Sequence, residues 1–211
     1  MKARAWKLFG AIMLSALALG LMLIGQPSAE DRIAHWQDEL DQMLASRAYH
    51  LDPGELFTLM YDTKIKLVML DVRDEWEYNL FHLVDAQHAP LSKLSAQSAR
   101  QLPDDAVTVL ITNDEQRANQ AFRLLKAQGL KNLYLLGGGL NLWLDIYAEG
   151  RIDAHYDYTK PGEDVLRHQL AAAVGEMHPA ARPEFAAAPQ REYEKKVVIE
   201  QPGPQVQGGC G

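Results

Sequence analysis

Two positions carry the chemistry of a nucleophile in a setting that singles them out. Thr112 opens a short polar loop, and Cys210, the only cysteine, stands next to the C-terminus. The loop follows an apolar, β-branched run, Val107–Ile111. It reads Thr112-Asn113-Asp114-Glu115-Gln116-Arg117, and a helix-like pattern comes after it. In open α/β folds, ligands bind beyond the carboxyl ends of strands, where a loop leads into a helix. The amides at a helix N-terminus favour an anion there. A threonine hydroxyl ionises far above neutral pH, so Thr112 would need an adjacent general base to attack an acyl or phosphoryl group. No histidine lies in the loop, and sequence alone places neither His82 nor His88 beside it.

Asp114 and Glu115 oppose an anionic substrate, yet both suit the dipole at a helix start. We therefore expect a self-satisfied loop, in which these carboxylates take the anion's role and Arg117 pairs with one of them. A remaining anion or small-molecule pocket is the alternative, and catalysis by Thr112 comes third. Asp71 and Arg73, at the end of a strand pattern, read as a structural ion pair tying loops together. His82 reads as a cap on local backbone. His35, His50, His88, His155, His168 and His178 have no metal-ligand spacing, and neither metal nor other cofactor is expected. Gly137-Gly138-Gly139 lacks the lysine and spacing of a P-loop and reads as a sharp strand-to-helix turn. Trp143 and Tyr147 read as core.

The elements that must position these residues follow from periodicity. Glu30 to Ser46 predicts a helix, with Ile33, Trp36, Leu40, Met43 and Leu44 on one face. Asp52-Pro53-Gly54-Glu55 is a helix start, with Asp52 as N-cap and Pro53 in the first helical position. Strands are expected at Lys66 to Arg73, Ala86 to His88, Val107 to Ile111 and Asn132 to Leu136. Helices are expected at Glu75 to Leu80, Ser92 to Arg100, Asp114 to Gln128 and Leu140 to Tyr147. Alternating strand and helix patterns predict an α/β fold with a mainly parallel sheet over about residues 50–150. A further amphipathic helix is expected at Glu163 to Met177, with Val165, Leu166, Leu170, Ala173 and Val174 inward.

The chain of 211 residues has room for one ordinary domain plus attachments. Its 21 basic and 28 acidic side chains give a net charge of -7, and no basic stripe is present, which argues against nucleic-acid binding. Lys2, Arg4 and Lys7 precede the apolar run Leu8 to Ile24. That run sits near the lower limit of roughly 17 residues for a membrane span. The reading for residues 1–29 is a signal peptide or a membrane anchor. The domain is then expected outside the cytoplasm, anchored and facing the periplasm or released there after cleavage. Residues 30–49 form a helical lead-in, 151–178 a helical extension and 179–211 a flexible tail. The tail is rich in Pro, Ala, Gln and Gly, a composition that buries too little apolar surface to offset ordering. A single cysteine excludes an internal disulfide and any zinc site with several cysteine ligands; a disulfide dimer through Cys210 stays open.

Four segments in order resemble the rhodanese-like domains. They are Leu70-Asp71-Val72-Arg73 with Glu75, Glu77 and Tyr78; His82 to Ala86 with Pro90-Leu91; Val107 to Arg117; and Leu133 to Gly139 with Trp143. The resemblance implies a rhodanese-like parallel sheet flanked by helices. It also implies a loop whose first residue, in the family, is a cysteine that accepts sulfane sulfur as a persulfide. Here that place falls to Thr112, a family glycine in the loop is Glu115, and two more are replaced by Phe81 and Asp85. The ending Gly208-Gly209-Cys210-Gly211 resembles the cysteine tail of periplasmic sulfur-oxidation carriers. A flexible arm of about 32 residues spans roughly 30 Å, enough to bring Cys210 to its own loop or a partner's. Two functions are therefore expected as alternatives. One is a rhodanese-like binding module without ordinary thiosulfate sulfurtransferase activity, engaging a protein partner or small ligand. The other is a sulfur relay, in which Cys210 carries sulfur between a donor and an acceptor.

Overall fold

β-Branched and leucine-rich runs that are apolar at every position belong in a sheet covered on both faces. A computed structural model of the chain, describing residues 13–15, 28–159, 162–170 and 173–198, has that sheet. Five parallel strands run in the order β1-β5-β4-β2-β3: β1 His50–Leu51, β2 Leu67–Asp71, β3 Gln87–His88, β4 Val107–Ile111 and β5 Leu133–Leu136. The central β4 is buried along its whole length. Strand alternation sends Val107, Val109 and Ile111 to one core and Leu110 to the other.

The first core packs helix α3, Pro53–Tyr61, and helix α7, Gly139–Tyr147, through Leu56, Phe57, Leu140 and Trp143. The second packs helix α2, Gln37–Ala45, and helix α6, Gln116–Lys126, through Leu40, Leu44, Phe122 and Leu125. Helix α1, Ala29–His35, precedes α2, so the helix expected over Glu30 to Ser46 is broken at Trp36. Helix α4, Glu75–Leu80, follows β2 as expected, and helix α5, Ala96–Gln101, precedes β4. Asp52 caps α3 by accepting the Gly54 amide at 2.8 Å. Strand β1, only two residues long, is too short to show a periodic pattern.

Two expectations are corrected beyond residue 150. The helix expected over Glu163 to Met177 does not form in the described part, residues 162–170 and 173–177. Asp164 and Gly175 have φ of +56° and +53°, values outside a right-handed helix, and Val165 faces solvent. The tail, expected to be flexible from 179 except over Lys195 to Ile199, is docked as far as residue 198. Ala180 and Ala181 are buried, and the Ala180 carbonyl accepts Trp143 Nε1–H at 2.7 Å. The Tyr61 hydroxyl donates to the Pro183 carbonyl, Arg191 pairs with Asp52, and Glu55 accepts the amides of Lys196 and Val197. Polar side chains of α3 thus order a segment whose composition gives no such signal. Among the described residues no helix is long and apolar enough to cross a membrane. The Leu8 to Ile24 run, apart from residues 13–15, and Cys210 lie outside them.

Candidate functional site

The parallel sheet directs the carboxyl ends of β2 and β4 to the same edge, and Asp71 pairs in register with Ile111. Arg73, just past β2, is fully buried. Its guanidinium donates to both Asp71 oxygens at 2.9 and 2.5 Å, to the Phe81 carbonyl at 2.5 Å and to Asn113 Oδ1 at 2.8 Å. Asp71 and Arg73 thus form an ion pair that pins the loop after β4 to the end of β2.

The loop itself is closed at each residue that sequence had singled out. Thr112 is fully buried, and its hydroxyl donates to the Asp114 carbonyl at 2.6 Å. The Thr112 and Asn113 carbonyls accept the Leu140 and Asn141 amides at 2.8 and 3.0 Å. This requires α7 to start hard against the loop: a Cβ on Gly139 would stand 2.4 Å from the Asp114 carbonyl oxygen, and Gly138 and Gly139 both have positive φ. The glycine run thus acts as the expected sharp turn.

The two loop carboxylates do not pair with Arg117, which corrects the sequence expectation. Glu115 receives the Arg47 guanidinium at 2.5 and 2.6 Å and the Gly138 amide at 2.8 Å. Asp114 accepts the Tyr156 hydroxyl. Burial, followed by the nearby Asp164 and Glu115 charges, holds the Asp114 carboxyl above its usual range despite that hydroxyl. Gln116 begins α6. Arg117 reaches outward to Glu77 at 2.5 and 2.8 Å and to Asp164 at 3.2 Å. Burial opposes ionisation of Glu77, but hydrogen bonds from Arg117 and the Asp74 amide outweigh it and hold the carboxyl below its ordinary range. Glu77 first, and Asp164 after it, raise the Arg117 pKa further above its ordinary value against the opposing effect of burial. Asp164, Arg47 and Tyr156 are the residues that sequence reading missed. Each lies far along the chain from the group it meets, and no local spacing links them.

On the other flank, His50 is buried beside the Arg47–Glu115 pair, with Nε2 at 3.6 Å from Glu115 Oε2. Burial and then the positive charges of Arg47 and Lys196 lower its pKa to about 3, so the imidazole is neutral at physiological pH. His82 stacks on Tyr78 with its Nδ1 at 2.7 Å from the Tyr78 carbonyl, and His88 Nε2 lies 3.1 Å from the Arg73 carbonyl. Neither reaches Thr112 with a hydrogen bond. Asp145, Glu149 and His168 gather ligand atoms within 4.8 Å of one another, but Arg151 binds both carboxylates and already supplies a cation.

A sequence model of the rhodanese-like domain matches residues 52–146. Those residues are a rhodanese-like domain. The span holds β2 to β5 and the whole loop, while Asp164 and the segment around it lie beyond it. The chain is 31% identical over 104 residues to the probable adenylyltransferase/sulfurtransferase MoeZ of Mycobacterium tuberculosis, a match covering 49% of this chain and 26% of that protein. It is 31% identical over 93 residues to the human centrosomal protein of 41 kDa, covering 40% of this chain and 25% of that protein. The matched part thus spans about a quarter of either relative. A solution structure of a rhodanese-like domain from Anabaena is 23% identical, with a TM-score of 0.43, and covers 58% of this chain and 97% of that one.

Proposed function

We propose that this rhodanese-like domain does not transfer sulfur through its loop and serves as an extracytoplasmic binding module for a protein partner or small ligand. The observation that carries the reading is Thr112. It stands where the resemblance puts the family's sulfur-accepting cysteine, its side chain is buried, and its hydroxyl is committed to the Asp114 carbonyl. A persulfide carrier needs an accessible thiolate. No histidine hydrogen-bonds the Thr112 hydroxyl to act as its base. The basic residues ahead of the Leu8 to Ile24 run support export of the domain.

The test is sulfur release from thiosulfate in the presence of cyanide, using wild type and Cys210→Ser. Cys210→Ser is expected to show no turnover above the uncatalysed rate. Turnover that persists in Cys210→Ser and is lost on adding Thr112→Val would overturn the reading.

The Gly-Gly-Cys-Gly ending favours a second reading, a sulfur relay in which Cys210 bears the sulfur and the domain supplies docking. Intact mass after exposure to polysulfide separates the two. One added sulfur on wild type but not on Cys210→Ser supports the relay, and no addition to either leaves the binding module.

A further inference from the structure

The N-terminus of α6 already holds an anion, and the chain supplies it. Asp164 Oδ1 accepts the Asp114 amide at 3.0 Å, and Oδ2 accepts the Arg117 amide at 2.8 Å and Arg117 Nε at 3.2 Å. The Asp164 carbonyl takes the rest of the local donors, Asn113 Nδ2 at 3.1 Å and Arg117 Nη2 at 2.9 Å. Two backbone amides at a helix start and a guanidinium, converging on one carboxylate, are the donor set that binds oxyanions. Asp164 is buried and has φ +56°, a left-handed conformation that costs a non-glycine residue energy. The contact with the cradle therefore outweighs a local backbone penalty.

The strap that delivers Asp164 has other anchors. Asn141 on α7 donates to the Val165 carbonyl at 2.9 Å and accepts the Arg167 amide at 2.8 Å. His168 sits against Asp145 and Glu149, each at 3.1 Å. Losing one carboxylate therefore leaves the strap on α7 while the cradle loses its occupant.

We propose that Asp164 is an autoinhibitory plug. The Asp114 and Arg117 amides and the Arg117 guanidinium form a site for a small tetrahedral oxyanion, which the strap keeps shut with its own carboxylate. This rests on the closed-loop reading above and names the residue that does the closing. Glu77 shares the Arg117 guanidinium, and Asp74 and the Asp114 carboxyl lie nearby, so the unplugged site has no net positive charge and holds an oxyanion weakly.

The substitutions suited to the test are those at ease at φ +56°. Glycine relieves the left-handed backbone, and asparagine tolerates it better than most residues. Inorganic sulfate is titrated into the full chain as wild type, Asp164→Gly and Asp164→Asn, following the amide NMR signals of Asp114 and Arg117. Asp164→Gly is expected to bind sulfate at least about tenfold more tightly than wild type, the worth of one charge-assisted hydrogen bond. Asp164→Asn falls between the two, because its amide oxygen still competes without the charge. Chloride at matched ionic strength is expected to leave both signals in place. A folded Asp164→Gly that binds sulfate no better than wild type overturns the proposal, as do equal shifts with chloride or shifts confined to residues away from the loop. Should Asp164→Gly not fold, Asp164→Asn decides, and no gain over wild type overturns it. Sulfur transfer by the wild-type loop would instead sink the closed-loop reading and leave the sulfate comparison standing.

Discussion

The two flanks of the loop solve the same electrostatic problem with different completeness. On the β2 side, Arg117 is enclosed by Glu77 and Asp164, and those carboxylates also take the Asp74, Asp114 and Arg117 amides. On the β1 side, Arg47 and Glu115 form an equally short pair, yet Arg47 Nε is buried without a hydrogen-bond partner among the described residues, and His50 is buried as a neutral ring beside Asn119. The first flank fixes the loop, and the second carries the desolvation cost of a polar group that lacks such a partner. Arg47 also lies over the Tyr158 ring at 3.8 Å, so its guanidinium is held partly by a half-exposed aromatic. Flexibility in this loop region should therefore begin on the β1 side.

The sharpest way to break the comparison is to remove one cation from each flank. Arg117→Ala leaves two buried carboxylates, Glu77 and Asp164, with hydrogen bonds to amides but without their shared cation, and a loss of about 3–5 kcal/mol is expected in urea unfolding. Arg47→Ala leaves Glu115 with the Gly138 amide and should cost about 1–2 kcal/mol. Equal losses would erase the distinction between the flanks.

Between those magnitudes lies the acid response of His50. Its folded pKa of about 3 is below the ordinary 6.5, so the unfolded chain takes up the proton first as pH falls. Stability from keeping the ring neutral is full above pH 6.5 and is lost progressively down to pH 3. That amounts to about 2 kcal/mol between roughly pH 7 and pH 5. His50→Gln should flatten this part of the pH–stability curve, whereas an unchanged slope would assign it to other groups.

The smallest effect belongs to Thr112. Thr112→Val keeps the shape and drops the bond to Asp114, at a cost of about 1 kcal/mol in thermal or urea melts and with no change in partner or anion binding. Lost binding would give the hydroxyl a role beyond the fold.

Much of the frame was legible because it rests on local rules. The β-branched run before Thr112 gave the central strand, Asp52-Pro53 gave the start of α3, and Gly137 to Gly139 gave the turn into α7. The resemblance places family glycines at three positions filled here by other residues, and one of them, Asp85, has φ +66°, the conformation for which a glycine serves. What failed were pairings across long stretches of chain. The apolar spacing from Val165 to Val174 fits a helical period, but Asp164 takes a left-handed turn to meet amides 47 and 50 residues earlier. Arg47 finds Glu115 across 68 residues. Charges chosen by tertiary packing leave no period, so Asp114 and Glu115 were expected in the anion's place, which Asp164 takes from outside the loop.

The clamp of Glu55 on the amides of Lys196 and Val197 has a mechanical meaning. The Tyr193 hydroxyl, bonded to Thr58 on the same helix, reinforces it. Tension on Val198 enters the fold at β5, where Tyr134 bonds both its amide and its carbonyl, and then at α3 and Arg47 through Lys196 and Val197, before any strain reaches the strap that carries Asp164. A pull on this segment is therefore felt first on the Arg47–Glu115 flank of the loop and last at the Asp164 plug.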